Sequence, residues 1–134
     1  MRLLLDTHIV LWALTEDPRL SQQARALIED FSNDLFCSVV SSWEVQLKHD
    51  KRPELKPVDA GFLREILEEF DYRELPLDAS DVIALETLKR DEGAVAHDDP
   101  FDRLLLAQAK ARNMLLVTHD KRFSDYGEPC VLLV

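Results

Sequence analysis

The sequence contains few of the residues that mark fibrous, disulfide-bonded or membrane proteins. Three glycines and six prolines in 134 residues exclude a collagen-like or low-complexity chain. The two cysteines, Cys37 and Cys130, lie far apart without CxxC spacing, so we expect free thiols in a reducing compartment. No apolar run approaches the roughly 20 residues of a membrane span, and Asp6 interrupts the N-terminal apolar run too early for a signal peptide. These absences predict a soluble, cytoplasmic protein without a membrane partner.

Positive charge is also scarce, since 16 Lys and Arg residues stand against 26 Asp and Glu, for a net charge of −10. Modules that only bind nucleic acid usually carry a basic face, and the composition argues against such a module. An enzyme that acts on nucleic acid remains compatible with it. A site for divalent cations must itself be acidic, and the bound ions reverse the local sign of the charge.

The chain length suits one domain spanning residues 1–134, because a chain of this size buries roughly two thirds of its unfolded surface. Short apolar runs alternate with stretches in which apolar residues recur at helical spacing. The runs predict strands at 2–5, 35–39, 72–75, 114–117 and 131–134, and the periodic stretches predict helices at 7–14, 21–31, 41–49, 58–70, 78–90 and 100–112, with a polar loop at 91–98. Strands that are apolar throughout indicate a central parallel sheet with helices on both faces, a three-layer α/β/α sandwich.

Four acids fall just after predicted strands or early in predicted helices. They are Asp6, Glu44, Asp102 and Asp120. Ligands of open α/β sheets bind outside the carboxyl ends of the strands, so we expect these acids to share one edge of the sheet. Crowded carboxylates repel one another, and oxygen-only ligands favour Mg²⁺ or Mn²⁺. Such a site, with coordination positions left open, suits metal-assisted hydrolysis of phosphodiesters.

Three of these acids also have a purely structural explanation. Asp6 and Asp120 could cap the helical turns that directly follow them. Asp102 is the third residue of a helix capped by Asp99, a position where the helix dipole favours an acid. Each acid taken singly is more simply explained as part of a helix end, whereas four acids at one edge favour a cation site.

Glu44 has two structural explanations of its own. The spacing Ser41-x-x-Glu44 matches a capping box, which would place Glu44 in the first turn of a helix. Lys48 follows Glu44 by one helical turn, the spacing of an i,i+4 ion pair. Both explanations stay open beside the metal hypothesis.

Four segments carry the acids in a distinctive order. They are Leu4-Leu5-Asp6-Thr7-His8, Ser41-x-Trp43-Glu44 followed by Lys48, His97-x-Asp99-Pro100-Phe101-Asp102-Arg103-Leu104-Leu105-x-Ala107-Gln108-Ala109, and Leu116-Val117-Thr118-His119-Asp120. The order and spacing of these motifs resemble those of PIN-domain ribonucleases, in particular VapC-type toxins of toxin–antitoxin pairs. The resemblance spans nearly the whole chain, and the segment 97–109 is its most specific part.

The resemblance implies a PIN fold and a Mg²⁺- or Mn²⁺-dependent endoribonuclease, the toxin of a type II pair. It implies that a metal-activated water attacks the RNA phosphodiester. It also implies a metal-binding and catalytic role for the quartet Asp6, Glu44, Asp102 and Asp120, with the last acid the least directly involved. Thr7 and Thr118 would be polar neighbours that orient carboxylate, water or phosphate. The implied partners are RNA, a cognate antitoxin bound to a groove near the first two helices, and a second copy of the chain.

Three further residues of the most specific segment have open roles. His97 either orders the loop before the helix or touches substrate. Asp99 is assigned mainly to capping, with a supporting contact to the site as a second role. Arg103 could contact phosphate or form an ion pair with a neighbouring acid.

Two alternatives belong to other function classes. A receiver-like signalling domain is also doubly wound, acidic and Mg²⁺-dependent, but it needs paired acids after the first strand, where this chain has Asp6 and Thr7. An inactive PIN-like Mg²⁺-binding interaction module would retain the fold without catalysis, and the intact quartet argues against it. His-Asp pairs at 49–50, 97–98 and 119–120 could hold metal in a helical phosphohydrolase, but the predicted strands exclude that all-helical fold.

Overall fold

A five-stranded parallel sheet forms the centre of the protein in a computed structural model that describes residues 1–94 and 97–134. The strands are β1 (Arg2–Leu5), β2 (Asp34–Ser38), β3 (Arg73–Leu75), β4 (Leu115–Thr118) and β5 (Val131–Leu133). Their spatial order is β3-β2-β1-β4-β5, and every neighbouring pair is parallel. The predicted all-parallel sheet is therefore confirmed. Residues 95 and 96 of the predicted polar loop 91–98 lie outside the described residues.

Helices cover both faces of this sheet and complete the predicted α/β/α layers. They are α1 (Thr7–Leu14), α2 (Gln22–Glu29), α3 (Val39–Lys51), α4 (Ala60–Glu69), α5 (Ala79–Ile83) and α6 (Pro100–Ala111), with 3₁₀ turns at Ala84–Thr87 and Lys121–Tyr126. Side chains of α1, α2 and α4 pack on one face, those of α6 and of the 3₁₀ turn Ala84–Thr87 pack on the other, and α3 contributes to both. Throughout residues 1–94 and 97–134, no helix combines the length and the apolar character that crossing a bilayer requires.

Strand β1 shows why three leucines follow one another after the exposed Arg2. Leu3 and Leu5 point into the core beneath α1 and α4, while Leu4 points into the core beneath α6, and all three are fully buried. Successive side chains of a strand face opposite sides, so a strand between two helical layers needs an apolar residue at every position.

The helix predicted at 78–90 is wrong in its length and in its orientation. It ends at Ile83 and continues as the 3₁₀ turn, and Ile83 is 64% exposed rather than buried. The buried residue on this helix is Asp81, whose Oδ2 accepts a hydrogen bond from the Arg112 guanidinium at 2.8 Å. Because this ion pair holds the polar side of α5 against α6, the apolar residues turn outward.

Two other predicted helix boundaries move for local reasons. Helix α3 begins at Val39 rather than at 41, because the Ser38 hydroxyl accepts a hydrogen bond from the Val40 N–H at 3.0 Å and caps the helix there. Helix α2 ends at Glu29, so Phe31 lies beyond it and is fully exposed instead of packing on the predicted apolar face.

Candidate metal and active site

A cavity of about 350 Å³ opens where β1, β2 and β4 end. The carboxyl ends of parallel strands meet at the same edge of a sheet, so residues that follow different strands come together there. The residues lining the cavity are Asp6, His8, Trp12, Arg19, Glu44, Lys48, Asp99, Asp102, His119, Asp120 and Arg122. All four acids of the predicted quartet thus line one cavity.

Asp6 is the most deeply anchored of these acids. It directly follows β1 and is 3% exposed. Its Oδ1 accepts a hydrogen bond from the Thr7 N–H at 2.7 Å, and its Oδ2 accepts one from the Thr118 hydroxyl at 2.7 Å. Burial raises the pKa of Asp6 and the charge of Glu44 adds to this, while the two hydrogen bonds and the charge of His8 oppose the rise. Each oxygen accepts a single hydrogen bond from the described residues, which leaves it a lone pair for a cation.

Glu44 lies in the second turn of α3 and is 4% exposed. Its Oε1 accepts a hydrogen bond from the Thr7 hydroxyl at 2.8 Å, and that hydroxyl also lies 2.8 Å from the Ser41 hydroxyl. Its Oε2 accepts a hydrogen bond from the Lys48 ammonium at 2.7 Å. Thr7 therefore connects the acid after β1 to the acid on α3 through one backbone and one side-chain hydrogen bond.

Asp102 lies in the first turn of α6 and contacts His97. Its Oδ2 is 2.9 Å from Nε2 of His97, whose imidazole is fully buried. Burial raises the pKa of Asp102 to about 6; the hydrogen bond from His97 opposes the rise, and the charges of Asp6 and Asp99 strengthen it. The repulsion by Asp6 means that these two carboxylates share one electrostatic environment although they lie 96 positions apart in the sequence.

Asp120 differs from the other acids because it is paired with a cation. Its two oxygens receive hydrogen bonds from the Arg122 guanidinium at 2.7 and 3.1 Å, and this pairing lowers the pKa of Asp120. Single ligand atoms of His97, Asp102 and Asp120 all lie within 4.8 Å of one another, a spacing at which a metal ion could bind. Asp120 therefore faces the same space, with Arg122 sharing its charge.

The structural explanations of the acids are confirmed in some cases and wrong in one. Asp6, Asp99 and Asp120 each precede a helical turn and accept a backbone N–H from it. The capping box at Ser41-x-x-Glu44 is wrong, because Ser38 caps α3 and residues 41 and 44 lie inside the helix. Capping and cation binding are compatible for Asp6, since its cap bond uses one of its two oxygens.

Lys48 and Arg103, the two basic residues near the acids in sequence, line different cavities. Lys48 lines the cavity of the acids and forms the predicted i,i+4 pair with Glu44. Arg103 lines a separate, smaller cavity beside Tyr126. Because Arg103 follows Asp102 directly on α6, the two side chains leave the helix in different directions and open on different cavities.

Sequence reasoning missed the aromatic and basic residues that line the cavity together with the acids. Trp12, which shares the apolar face of the first predicted helix with Ile9 and is therefore expected in the core, packs against His119 with ring centroids 4.5 Å apart, and His8 lies 5.8 Å from Trp12. The Arg19 guanidinium lies 5.0 Å above the Trp12 ring. The sequence did offer a sign of this arrangement. His8 follows Asp6-Thr7 after β1, and His119 follows Thr118 at the end of β4, so both histidines lie at the same edge of the sheet as the acids.

The carboxylates present fit a hard divalent cation. Asp6 and Glu44 are nearly fully buried, and the pKa of Asp102 is raised by burial and by neighbouring negative charge, so part of the charge in the cavity is uncompensated. Oxygen ligands in an acidic cavity select Mg²⁺ or Mn²⁺ over softer metals. The arrangement can therefore bind such an ion and bring a phosphate group to it.

Comparisons with known proteins place the chain among proteins of one fold. A model of the PIN domain family matches residues 3–129, and no curated protein gives a significant match. VapBC2 from Rickettsia felis, solved bound to a DNA fragment from the promoter, is similar at 20% identity and a TM-score of 0.67 over 100% of this chain and 98% of that one. VapBC-1 from nontypeable Haemophilus influenzae is similar at 18% identity and a TM-score of 0.66, over 99% of this chain and 98% of that one. A toxin–antitoxin complex from Klebsiella pneumoniae is similar at 18% identity and a TM-score of 0.59, over 96% of this chain and 94% of that one.

The raised pKa of Asp102 predicts a pH-dependent cost to stability. Its pKa is about 6 in the folded protein against 3.8 ordinarily, so the stability it contributes is present below pH 3.8 and is lost as the pH rises through about 6. In EDTA, we expect Asp102→Asn to gain stability relative to the parent between pH 4 and pH 7, as measured by urea unfolding at each pH. A constant difference across this range would contradict the assigned environment.

Proposed function

Because the chain belongs to the PIN-domain family, we propose that it is a metal-dependent endoribonuclease and the toxin of a type II toxin–antitoxin pair. The observation that carries the proposal is the convergence of Asp6, Glu44, Asp102 and Asp120 on one cavity. Independent stretches of chain supply these acids, and burying their charges together costs stability unless a cation binds. The RNA substrate would be met in the cytoplasm.

In the proposed site, Asp6, Glu44 and Asp102 hold Mg²⁺ or Mn²⁺. The bound ion would activate a water as nucleophile and stabilise the charge that develops on the phosphate and on the leaving oxygen. Thr7 and Thr118 hold the carboxylates of Glu44 and Asp6 in fixed orientations through hydrogen bonds of 2.8 and 2.7 Å. The protein thus fixes its ligands before substrate arrives.

Segment 97–102 positions the third acid. Asp99 caps α6 by accepting the N–H groups of Phe101 and Asp102 at 2.9 and 3.2 Å, which fixes the first turn of the helix. His97 holds the Asp102 carboxylate from the buried side at 2.9 Å. We assign both residues to positioning, and we assign Asp120 to a weaker, charge-balancing role because Arg122 pairs with it.

The antitoxin is proposed to bind an apolar groove beside the acids. This groove has a volume of about 350 Å³ and includes Leu11, Val45, Leu55, Pro57 and Val58 in its wall. It shares His8, Trp12, Arg19 and Lys48 with the acidic cavity, so the two form one continuous surface. A partner with an apolar segment and an adjacent basic residue would cover the groove and neutralise the acids. The three VapBC and toxin–antitoxin neighbours support a partner of this kind.

A homodimer is also part of the proposal. Val39, Trp43 and Leu47 lie four residues apart along α3 and are 36%, 52% and 36% exposed. Residues at this spacing share one face of a helix, so they form an apolar stripe. A stripe of this kind on the surface suits an interface between two copies.

Loss of a single carboxylate tests the nuclease assignment. We expect Mg²⁺- or Mn²⁺-dependent cleavage of RNA by the parent, and a loss of at least about 100-fold in Asp6→Asn, Glu44→Gln and Asp102→Asn. Asp120→Asn should lose less, because its charge is already shared with Arg122. Glu65→Gln, an exposed residue on α4, is the matched control for Glu44→Gln.

The readout is gel analysis of labelled RNA with and without EDTA, with circular dichroism to verify folding. Folded Asp6→Asn and Asp102→Asn variants that cleave as well as the parent would overturn the catalytic assignment. A parent that binds Mg²⁺ but cleaves no RNA would favour the inactive interaction module.

Leu55 tests the antitoxin groove because it is 61% exposed there. Co-expression with the neighbouring open reading frame should give a complex in a pull-down, and Leu55→Asp should reduce capture at least about tenfold by placing a charge in an apolar contact. Phe31→Asp, at an exposed residue outside the groove, should leave capture unchanged. Equal capture of all three proteins would exclude this surface.

Light scattering of the purified chain tests the dimer. The expected mass is twice the 15.4 kDa of one chain, and Trp43→Glu should shift it to the monomer. Phe62→Glu, equally exposed at 52% on α4, is the matched control. A parent that is monomeric at micromolar concentration would refute the dimer.

A further inference from the structure

A second, smaller cavity lies on the far side of the segment that carries Asp102. It has a volume of about 160 Å³ and is lined by Leu88, Arg90, His97, Asp98, Arg103 and Tyr126. We call it the Arg103 pocket. The acidic cavity shares none of these lining residues, although Asp99 and Asp102 of the same segment line that one. Segment 97–103 therefore forms the wall between an acidic cavity and a pocket with two arginines.

Two residues that line the Arg103 pocket each have a buried polar atom without a hydrogen-bond partner among the described residues. Over residues 1–94 and 97–134, the buried side-chain polar atoms that make no hydrogen bond of normal geometry are Nδ1 of His97 and the hydroxyl of Tyr126. Both residues line this pocket. Buried polar atoms are nearly always paired, so two unpaired atoms on residues that line one cavity favour a polar ligand there.

The charges around the pocket specify the sign of that ligand. Arg90 and Arg103 are cationic, and the exposed Asp98 offsets one of these charges. Burial raises the pKa of Tyr126; the positive charges of Arg103 and Arg90 and the nearby Arg103 donor oppose the rise, and the negative charge of Asp102 adds to it. A lining with two arginines and one acid, in a chain of net charge −10, is a local exception that favours an anion.

We propose that the Arg103 pocket binds a phosphate group through Arg103, Arg90 and the Tyr126 hydroxyl. The planar guanidinium forks of arginine match the geometry of phosphate oxygens, and the tyrosine hydroxyl supplies a further donor. Because Nε2 of His97 donates to Asp102, Nδ1 is the acceptor nitrogen of the ring, and it accepts a hydrogen bond from a water bound to the phosphate. The pocket is distinct from the carboxylates that would bind the metal, and its ligand needs no metal ion.

The position of the pocket indicates which phosphate it would hold, and this step rests on the proposed function. One imidazole ring separates the two cavities, because Nε2 of His97 lies 2.9 Å from Asp102 on one side and the ring lines the pocket on the other. A strand of RNA whose scissile phosphate lies at the acids could therefore place another of its backbone phosphates in the Arg103 pocket. Such a contact holds the strand without reading its base sequence.

Binding of inorganic phosphate tests the pocket independently of nuclease activity. Isothermal titration calorimetry in EDTA excludes binding through a metal ion. The parent should bind phosphate at millimolar concentration or tighter, and Arg103→Gln should weaken binding at least about tenfold, because charge-assisted hydrogen bonds are lost. Asp98→Asn should tighten binding, since it removes the opposing charge. Arg64→Gln, an exposed arginine on α4, is the matched control and should bind as the parent does.

Tyr126→Phe is a second variant that tests the pocket if Arg103→Gln fails to fold. The hydroxyl makes no hydrogen bond of normal geometry within the described residues, so its removal should leave the thermal unfolding temperature unchanged or raise it, while phosphate binding weakens. The proposal that the Arg103 pocket binds phosphate would be refuted by either of two results. The parent does not bind phosphate, or the parent, Arg103→Gln and Tyr126→Phe bind it equally.

Binding of RNA then separates a backbone phosphate from free phosphate as the ligand. A short single-stranded RNA is titrated against Asp6→Asn, which cannot complete the proposed reaction, and against Asp6→Asn combined with Arg103→Gln. If the pocket holds an RNA phosphate, the double variant binds RNA more weakly and the slope of log K against log salt falls by about 0.7.

Unchanged RNA affinity together with Arg103-dependent phosphate binding would assign the pocket to free phosphate and refute the RNA step. If the parent binds phosphate but cleaves no RNA, the phosphate site is supported and the proposed nuclease function is refuted. The two failures are therefore distinguishable.

Discussion

Repulsion between carboxylates at the ends of parallel strands is the constraint on which the functional half of this protein depends. Asp6 and Glu44 are almost completely buried, and the charge of Asp6 contributes to the raised pKa of Asp102. A fold that served stability alone would separate these groups or pair each with a cation. Here the pairing is partial, because Lys48 and Arg122 each hold one acid while Asp6 has only neutral donors within the described residues. The remaining negative charge is the reason why we propose a divalent ion for this cavity.

The hydroxyl groups around the acids have a different effect from the cations. Thr118 and Thr7 fix the orientation of Asp6 and Glu44 without neutralising them. A hydroxyl donor stabilises a carboxylate by much less than a full opposite charge, so the acids keep both their geometry and their negative charge. The hydrogen bond from His97 to Asp102 is made from the buried side and leaves the other oxygen facing the cavity. Rigid ligands in a partly uncompensated field are the arrangement that metal-assisted catalysis requires.

Neighbouring residues of segment 97–103 have different structural roles. Asp99 begins α6, Asp102 faces the acids, and Arg103 faces the opposite pocket. His97 lies between the two cavities and contacts Phe123 with ring centroids 4.9 Å apart, so its ring is held in place by packing. Because a helix turns by about 100° per residue, adjacent side chains of α6 reach environments of opposite charge. This explains why Arg103, which the sequence places beside an acid, does not neutralise it.

The local sequence determined the type of nearly every element, the burial of the strands and the position of each acid next to a strand end. These features follow from hydrophobic periodicity and from capping residues, which act over a few positions. Tertiary structure alone decided that Thr118 bonds to Asp6 across 112 positions, that α5 turns its apolar side outward to pair Asp81 with Arg112, and that Trp12 joins the wall of the acidic cavity. Such contacts depend on the strand order β3-β2-β1-β4-β5. A periodic pattern specifies which face of an element is buried, but the partner of a polar group is specified only when distant strands come to lie side by side.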